Sequence, residues 1–205
     1  NCGEMTELDR QFYLFELAIS KSHKEKCTEL KNDMLKVIKI TIPNYDENFD
    51  ISKHYLTVLE LMRINNIAIE EGLLGNKEKA ISIMMSLKEY FETDKVDVHE
   101  KIKEYPVILS NLSDWLGETE RYQECLEVVE DGIKFCVEQG KLVCLSDFLY
   151  NKGYCLVKLG KDKEQAKKFI LYSIVLGRIG NDSELLELAS IFTKENFGED
   201  LVELI

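Results

Sequence analysis

Apolar residues recur three and four apart along almost the whole of this chain, so that each run marks one buried face of an α-helix. The early stripes are Leu8, Phe12, Phe15, Ile19, then Cys27, Leu30, Met34, Val37, then Tyr55, Val58, Leu59, Met62, then Ala80, Ile83, Met84, Leu87, Phe91. They continue through Ile102 to Leu116, Tyr122 to Cys136, Leu145 to Leu159, Phe169 to Ser173 and Leu185 to Phe192. Nine helices are expected, with a tenth at Leu201 to Ile205. Only Pro43 and Pro106 break the supply of helix formers in 205 residues, so the fold class is all-α. Asn181 and Glu184 have the spacing of a capping box.

Charge narrows the function. Lys and Arg number 26 against 38 Asp and Glu, a net charge of −12, which argues against these residues holding nucleic acid or an anionic membrane surface. No apolar run is long enough for a membrane span, and Asn1-Cys2-Gly3-Glu4 is no basic, apolar leader. The chain opens without Met, as a fragment or processed chain would. The six cysteines form no C-x-x-C pair and fall mostly on apolar positions, as reduced thiols in a cytoplasmic protein do. His23, His54 and His99 lack metal-ligand spacing, and no catalytic constellation can be assembled, so neither enzyme activity, metal nor cofactor is expected.

A longer period overlies the helical one. Gly75, Gly117 and Gly160 lie 42 and then 43 residues apart, each at an expected helix end. A small residue, Ala68, Ser110 or Gly153, precedes each by seven, and Ala80, Cys125 or Ala166 follows. These positions resemble a degenerate, elongated tetratricopeptide repeat, and Tyr150-Asn151-Lys152-Gly153-Tyr154-Cys155-Leu156 with Gly160 and Ala166 is the nearest match. The resemblance implies a right-handed α-solenoid of antiparallel helix pairs over 6–40, 51–92, 100–139 and 143–179, with a cap over 182–205, as a single repeat domain spanning 1–205.

The long repeat, the acidity and the run Leu149 to Leu156 further resemble the C-terminal sensor region of Gram-positive, peptide-responsive transcription regulators, the RRNPP group with its Rgg-like and PlcR-like members. From about Thr6 onward, that resemblance implies a homodimer whose repeat domain captures a short signalling peptide, as in quorum sensing. DNA would be held only by an N-terminal helix-turn-helix domain outside these residues. The rival reading is a repeat scaffold for a partner protein unconnected with transcription.

Asparagine is a poor helix former, yet Asn65, Asn66, Asn111 and Asn151 fall within expected helices, where an amide can pair with a peptide backbone. Solvent-facing or helix-bridging roles are the equal alternative. Tyr150 and Tyr154, one turn apart, are candidates for a pocket wall, although core packing suits at least one of them. Arg63 and Arg178 are candidates for a peptide carboxylate, with surface ion pairing as the blander reading. Trp115 is assigned to the core. Leu201, Val202, Leu204 and Ile205 make more apolar surface than a cap needs and are assigned to a dimer contact.

Overall fold

A computed structural model describes residues 27–46, 48–142 and 144–204. These form eight α-helices and one short 3-10 turn of helix, with no strand among the described residues. The helices are α1 (Cys27–Thr41), α2 (Val58–Leu73), α3 (Lys77–Glu92), α4 (Val98–Glu118), α5 (Tyr122–Gln139), α6 (Leu145–Lys158), α7 (Lys163–Gly180) and α8 (Ser183–Phe197). The expected helix over Leu8 to Ile19 lies outside the described residues. Among the described residues no helix is long and apolar enough to cross a membrane.

The chain divides between Lys101 and Ile102 into two compact units. In the first, α2 starts from a capping box: Thr57 Oγ1 accepts from the Glu60 amide, and Glu60 Oε2 accepts from the Thr57 amide. Its buried face runs through Leu61, Ile64 and Ala68 rather than the expected Tyr55, Val58, Leu59 and Met62. Tyr55 precedes the cap and is exposed, as is Leu59. The stripe was drawn one turn early because Tyr55 continued a three-and-four spacing that ends at the cap.

The turns correct the frame of the repeat. Gly75 and Gly160 adopt left-handed backbone with φ of +91° and +63°, as expected of helix-ending glycines. Gly117 does not: it lies inside α4, and the left-handed residue of that turn is Glu120, with φ of +60°. The three turns share one closure, in which the residue after the left-handed one donates its amide five residues back. These bonds are Asn76 to Glu71, Arg121 to Leu116 and Lys161 to Leu156. Counting from Gly75, Glu120 and Gly160, the small residue seven places earlier is Ala68, Ser113 and Gly153, each buried. Ala80, Cys125 and Ala166, five or six places later, are also buried. In the same frame Asn66, Asn111 and Asn151 all stand nine places before the turn.

In the second unit, small residues let helices approach. A Cβ on Gly153 of α6 would lie 2.7 Å from Ile170 and 2.9 Å from the Ala166 carbonyl oxygen on α7, and one on Gly132 of α5 would lie 2.6 Å from the Phe148 ring of α6. Trp115 is buried as expected. Cys125, Cys136 and Cys155 are buried free thiols, and Cys144 is a partly buried one. Between α7 and α8, Asn181 takes the left-handed position that ends α7, and Asp182, not Asn181, caps α8 by accepting from the Leu185 amide at 3.0 Å. The expected box does not form, because Leu185 at the third helical position has no side-chain acceptor to return the bond.

The C-terminal residues are not the tenth helix. Leu201 to Leu204 form a turn that folds back, with Leu201 buried among Ile170, Ile174, Ala189 and Phe192, and Val202 packed beside it. Burying a leucine side chain contributes about 1.5–3 kcal/mol, so Leu201 has an intrachain partner and is not available to a dimer, while Val202 is partly covered. Leu204 is exposed, and Ile205 lies outside the described residues.

Candidate functional site

A groove of about 590 Å³ opens in the second unit, walled by α4, α6 and the start of α8. The α4 wall presents Asp114 and Glu118, one helical turn apart, with Gly117 between them; the space where a Gly117 Cβ would sit is open. From α6 come Asp147, Tyr150, Asn151 and Tyr154. The α8 side adds Asp182, Glu184, Leu185 and Leu188. Leu188, expected in a buried stripe, is half exposed in this groove.

Asn151 joins two walls. Its Nδ2 donates to Ser113 Oγ at 2.9 Å and to Asp114 Oδ1 at 2.8 Å, both on α4. With both amide hydrogens engaged, Asn151 has only its carbonyl oxygen to offer a ligand. Ser113 in turn donates to the Ser110 carbonyl and accepts, at its own carbonyl, the thiol of Cys125. The groove wall is thereby tied to the buried seam of α4, α5 and α6.

The tyrosines are held by aromatic contacts. Tyr150 and Tyr154 stack with centroids 6.4 Å apart, and both meet the buried Phe192 ring, at 5.9 and 5.3 Å. Burial pushes the Tyr150 hydroxyl up to about 12, with Glu195 adding to the shift, so it remains a neutral donor at physiological pH. Lys158 Nζ stands 5.3 Å from the Tyr154 centroid.

The carboxylates oppose one another. Asp114 is pushed up to about 6. The chief cause is that protein crowds its carboxyl even though the side chain still meets solvent; Asn151's hydrogen bond lowers it, and Asp147 and Glu118 raise it again. Asp147 is raised as well, first by burial and next by Asp182, while hydroxyls of Ser146 and Ser110 pull it down. Among the described residues no ion pair neutralises Asp114, Asp147, Asp182 or Glu184. The described residues also bring no three His, Cys, Asp or Glu side chains together as a metal site.

Of the residues singled out from the sequence, Tyr150, Asn151 and Tyr154 meet in this groove. Asn111 is half-buried on α4 and does not line it. Asn66 is half-buried on α2 in the first unit, and no described residue hydrogen-bonds its side chain. Two expectations are corrected outright. Asn65 is buried to 1% exposure, and Arg63 equally so, its Nη1 donating to the Leu59 carbonyl at 2.6 Å within α2; neither faces a groove or solvent. Arg178 is exposed on α7 and does not line this groove; its guanidinium donates to the Val202 carbonyl at 2.5 Å and fastens the C-terminal turn to α7. The acids Asp114, Asp147, Asp182 and Glu184 were missed, since each alone reads as a solvated charge among 38.

Comparison with known proteins gives three results. A family model described as the RNPP family C-terminal domain matches residues 10–175. The crystal structure of Bacillus thuringiensis PlcR in complex with the peptide PapR7 and DNA is similar in fold, with a TM-score of 0.75 at 16% identity over 91% of this chain. The match takes in 62% of the PlcR chain, so the residues studied span about three-fifths of that protein. A comparison with curated proteins finds no match.

Proposed function

This chain belongs to the RNPP family, whose C-terminal domain it carries, and on that premise we propose that it is the ligand-sensing and dimerisation domain of a transcription regulator, binding a short peptide in the groove between α4, α6 and α8. The observation that carries the reading is the groove itself. It has peptide-sized volume, an acceptor from Asn151, and aromatic and leucine surface in Tyr150, Tyr154, Leu185 and Leu188. The PlcR structure of the same fold holds a peptide, which supports this use of the repeat. Asn66 in the first unit and Asn111 and Asn151 in the second, equivalent in the corrected frame, are each proposed as a partner for peptide backbone. Contact with DNA would fall to a helix-turn-helix domain outside these residues.

Selection from a library of random seven-residue peptides tests the groove. Peptides captured by the parent chain are expected to lose about 3- to 10-fold in affinity with Leu188→Ala, because its half-exposed side chain would be covered on binding. Melting temperature should hardly move, since that side chain is only partly buried in the free protein. Captured peptides indifferent to Leu188→Ala would place binding elsewhere.

For the homodimer, the proposed contact shifts from Leu201 and Val202 to the exposed stripe Tyr172, Val175 and Ile179 on α7 together with Leu204. Sedimentation should show an Ile179→Glu variant dissociating at protein concentrations where the parent is dimeric. An Ile179→Glu chain that dimerises as the parent does removes α7 from the contact.

A further inference from the structure

Resting on the reading of the groove as a peptide site, we propose that it selects a short peptide bearing a positive charge, an ammonium or guanidinium seated between the α4 and α6–α8 walls. Three observations converge. First, every charged side chain lining the groove is an acid, although the chain has 26 lysines and arginines to place. The cavity of the first unit mixes Lys31, Lys39 and Lys79 with Asp46, Glu71 and apolar residues, so charges of both signs line a pocket elsewhere in this chain. Second, Asn151 turns its amide hydrogens inward to Ser113 and Asp114, so the asparagine that could have offered a donor offers an acceptor instead. The ligand must bring the donors.

Third, helix architecture does not account for all the acids. Asp147, Asp182 and Glu184 stand at or beside helix starts, where the helix dipole favours a carboxylate. Asp114 lies well inside α4, and Glu118 is its last residue, where the dipole opposes negative charge. Asp114 feels both Glu118, one turn away, and Asp147 on the opposite wall, and this crowding raises the free energy of the empty site. An incoming cation relieves that repulsion, and a charge-assisted hydrogen bond to carboxylate is stronger than a neutral one. Because the described residues assemble no metal-ligand set here, an organic cation suits the site better than an ion.

The experiment uses the whole chain with a synthetic library of random seven-residue peptides carrying free N-termini. Enriched peptides should be rich in Lys or Arg, or should depend on their free N-terminus. Resynthesised with Gln in place of the basic residue, or with the N-terminus acetylated, each should weaken by about 10-fold for whichever change removes the recognised charge, which also separates side-chain from N-terminal sources. In Asp147→Asn/Asp182→Asn, where Asn at 182 still serves as a helix cap, that discrimination should vanish. In Glu127→Gln/Glu138→Gln, which removes equal charge from the exposed face of α5, it should persist. Enriched peptides that lack Lys and Arg and whose binding also survives N-terminal acetylation overturn the charge preference and leave the groove reading standing. Equal discrimination in both variants and parent overturns it too, by tracing it to the net charge of −12. Failure of any peptide to bind overturns the groove reading on which the inference rests.

Discussion

Replacing Phe148 by alanine is expected to remove about 3–5 kcal/mol of stability, the cost of a cavity where a phenyl ring was wholly enclosed. The ring is shaped to a glycine: a Cβ on Gly132 would lie 2.6 to 2.8 Å from three of its atoms. Gly132→Ala alone sets about 1–3 kcal/mol of overpacking against up to about 1 kcal/mol of improved helix propensity, so loss wins. In a Phe148→Leu background the added methyl enters space the ring has vacated, and Gly132→Ala should cost less or become stabilising. Urea denaturation of the four chains gives the coupling directly. Additive effects would mean that the glycine and the ring are not a matched pair.

The second large effect is at Glu71, where removal should cost about 3 kcal/mol. Its side chain is 2% exposed and receives Lys31 Nζ at 2.8 Å, Lys79 Nζ at 2.9 Å and Asn76 Nδ2 at 2.8 Å, tying α1, α2 and the start of α3. Removing one member of a buried ion group costs about 3–5 kcal/mol. The lower end applies because the lysine side chains are 22% and 34% exposed and can turn to water. Burial raises the Glu71 carboxyl, but its three donors outweigh burial and hold it at about 2 against an ordinary 4.5. A depressed folded value means that the folded state binds fewer protons than the unfolded one in this window. The contribution is therefore complete above about pH 4.5 and is lost as pH falls towards 2. Comparing Glu71→Gln with the parent by thermal melting, the difference should be widest near neutrality and close by pH 2. A difference constant over that range would show that packing, not charge, makes Glu71 count.

How far the fold could be read depended on what kind of signal each feature leaves. Buried stripes print their period on the sequence, so the eight described helices were legible even where a boundary slipped. Small residues at helix crossings were legible for the same reason, because Ala68, Gly153 and Ala166 are all buried and recur in one frame. The turn after α4 was not, because its left-handed residue is Glu120 while a glycine stands three places earlier within the helix. That misplaced glycine gave the near-equal spacing of 42 and 43, hid Ser113 as the small residue of its pair, and hid the equivalence of Asn111 with Asn66 and Asn151. Leu201 failed differently: its partners Ile170 and Ile174 belong to another helix, and no local pattern says that a tail will return to them. The groove's acidity is a property of juxtaposition, since Asp114, Asp147 and Asp182 come from three segments and acquire meaning only face to face.

Asn151 belongs at once to the scaffold and to the surface a ligand would meet. The hydrogen bonds that fasten α6 to Ser113 and Asp114 leave from a residue that lines the groove. Affinity and rigidity are therefore not separate traits at this residue. Anything that draws on its amide pulls on two helices together, and the helices, by holding it, set the angle at which it can be approached. On the proposed reading a change there would be read twice, once in the ligand and once in the melting curve, whereas Leu188 on the opposite wall would answer to the ligand alone.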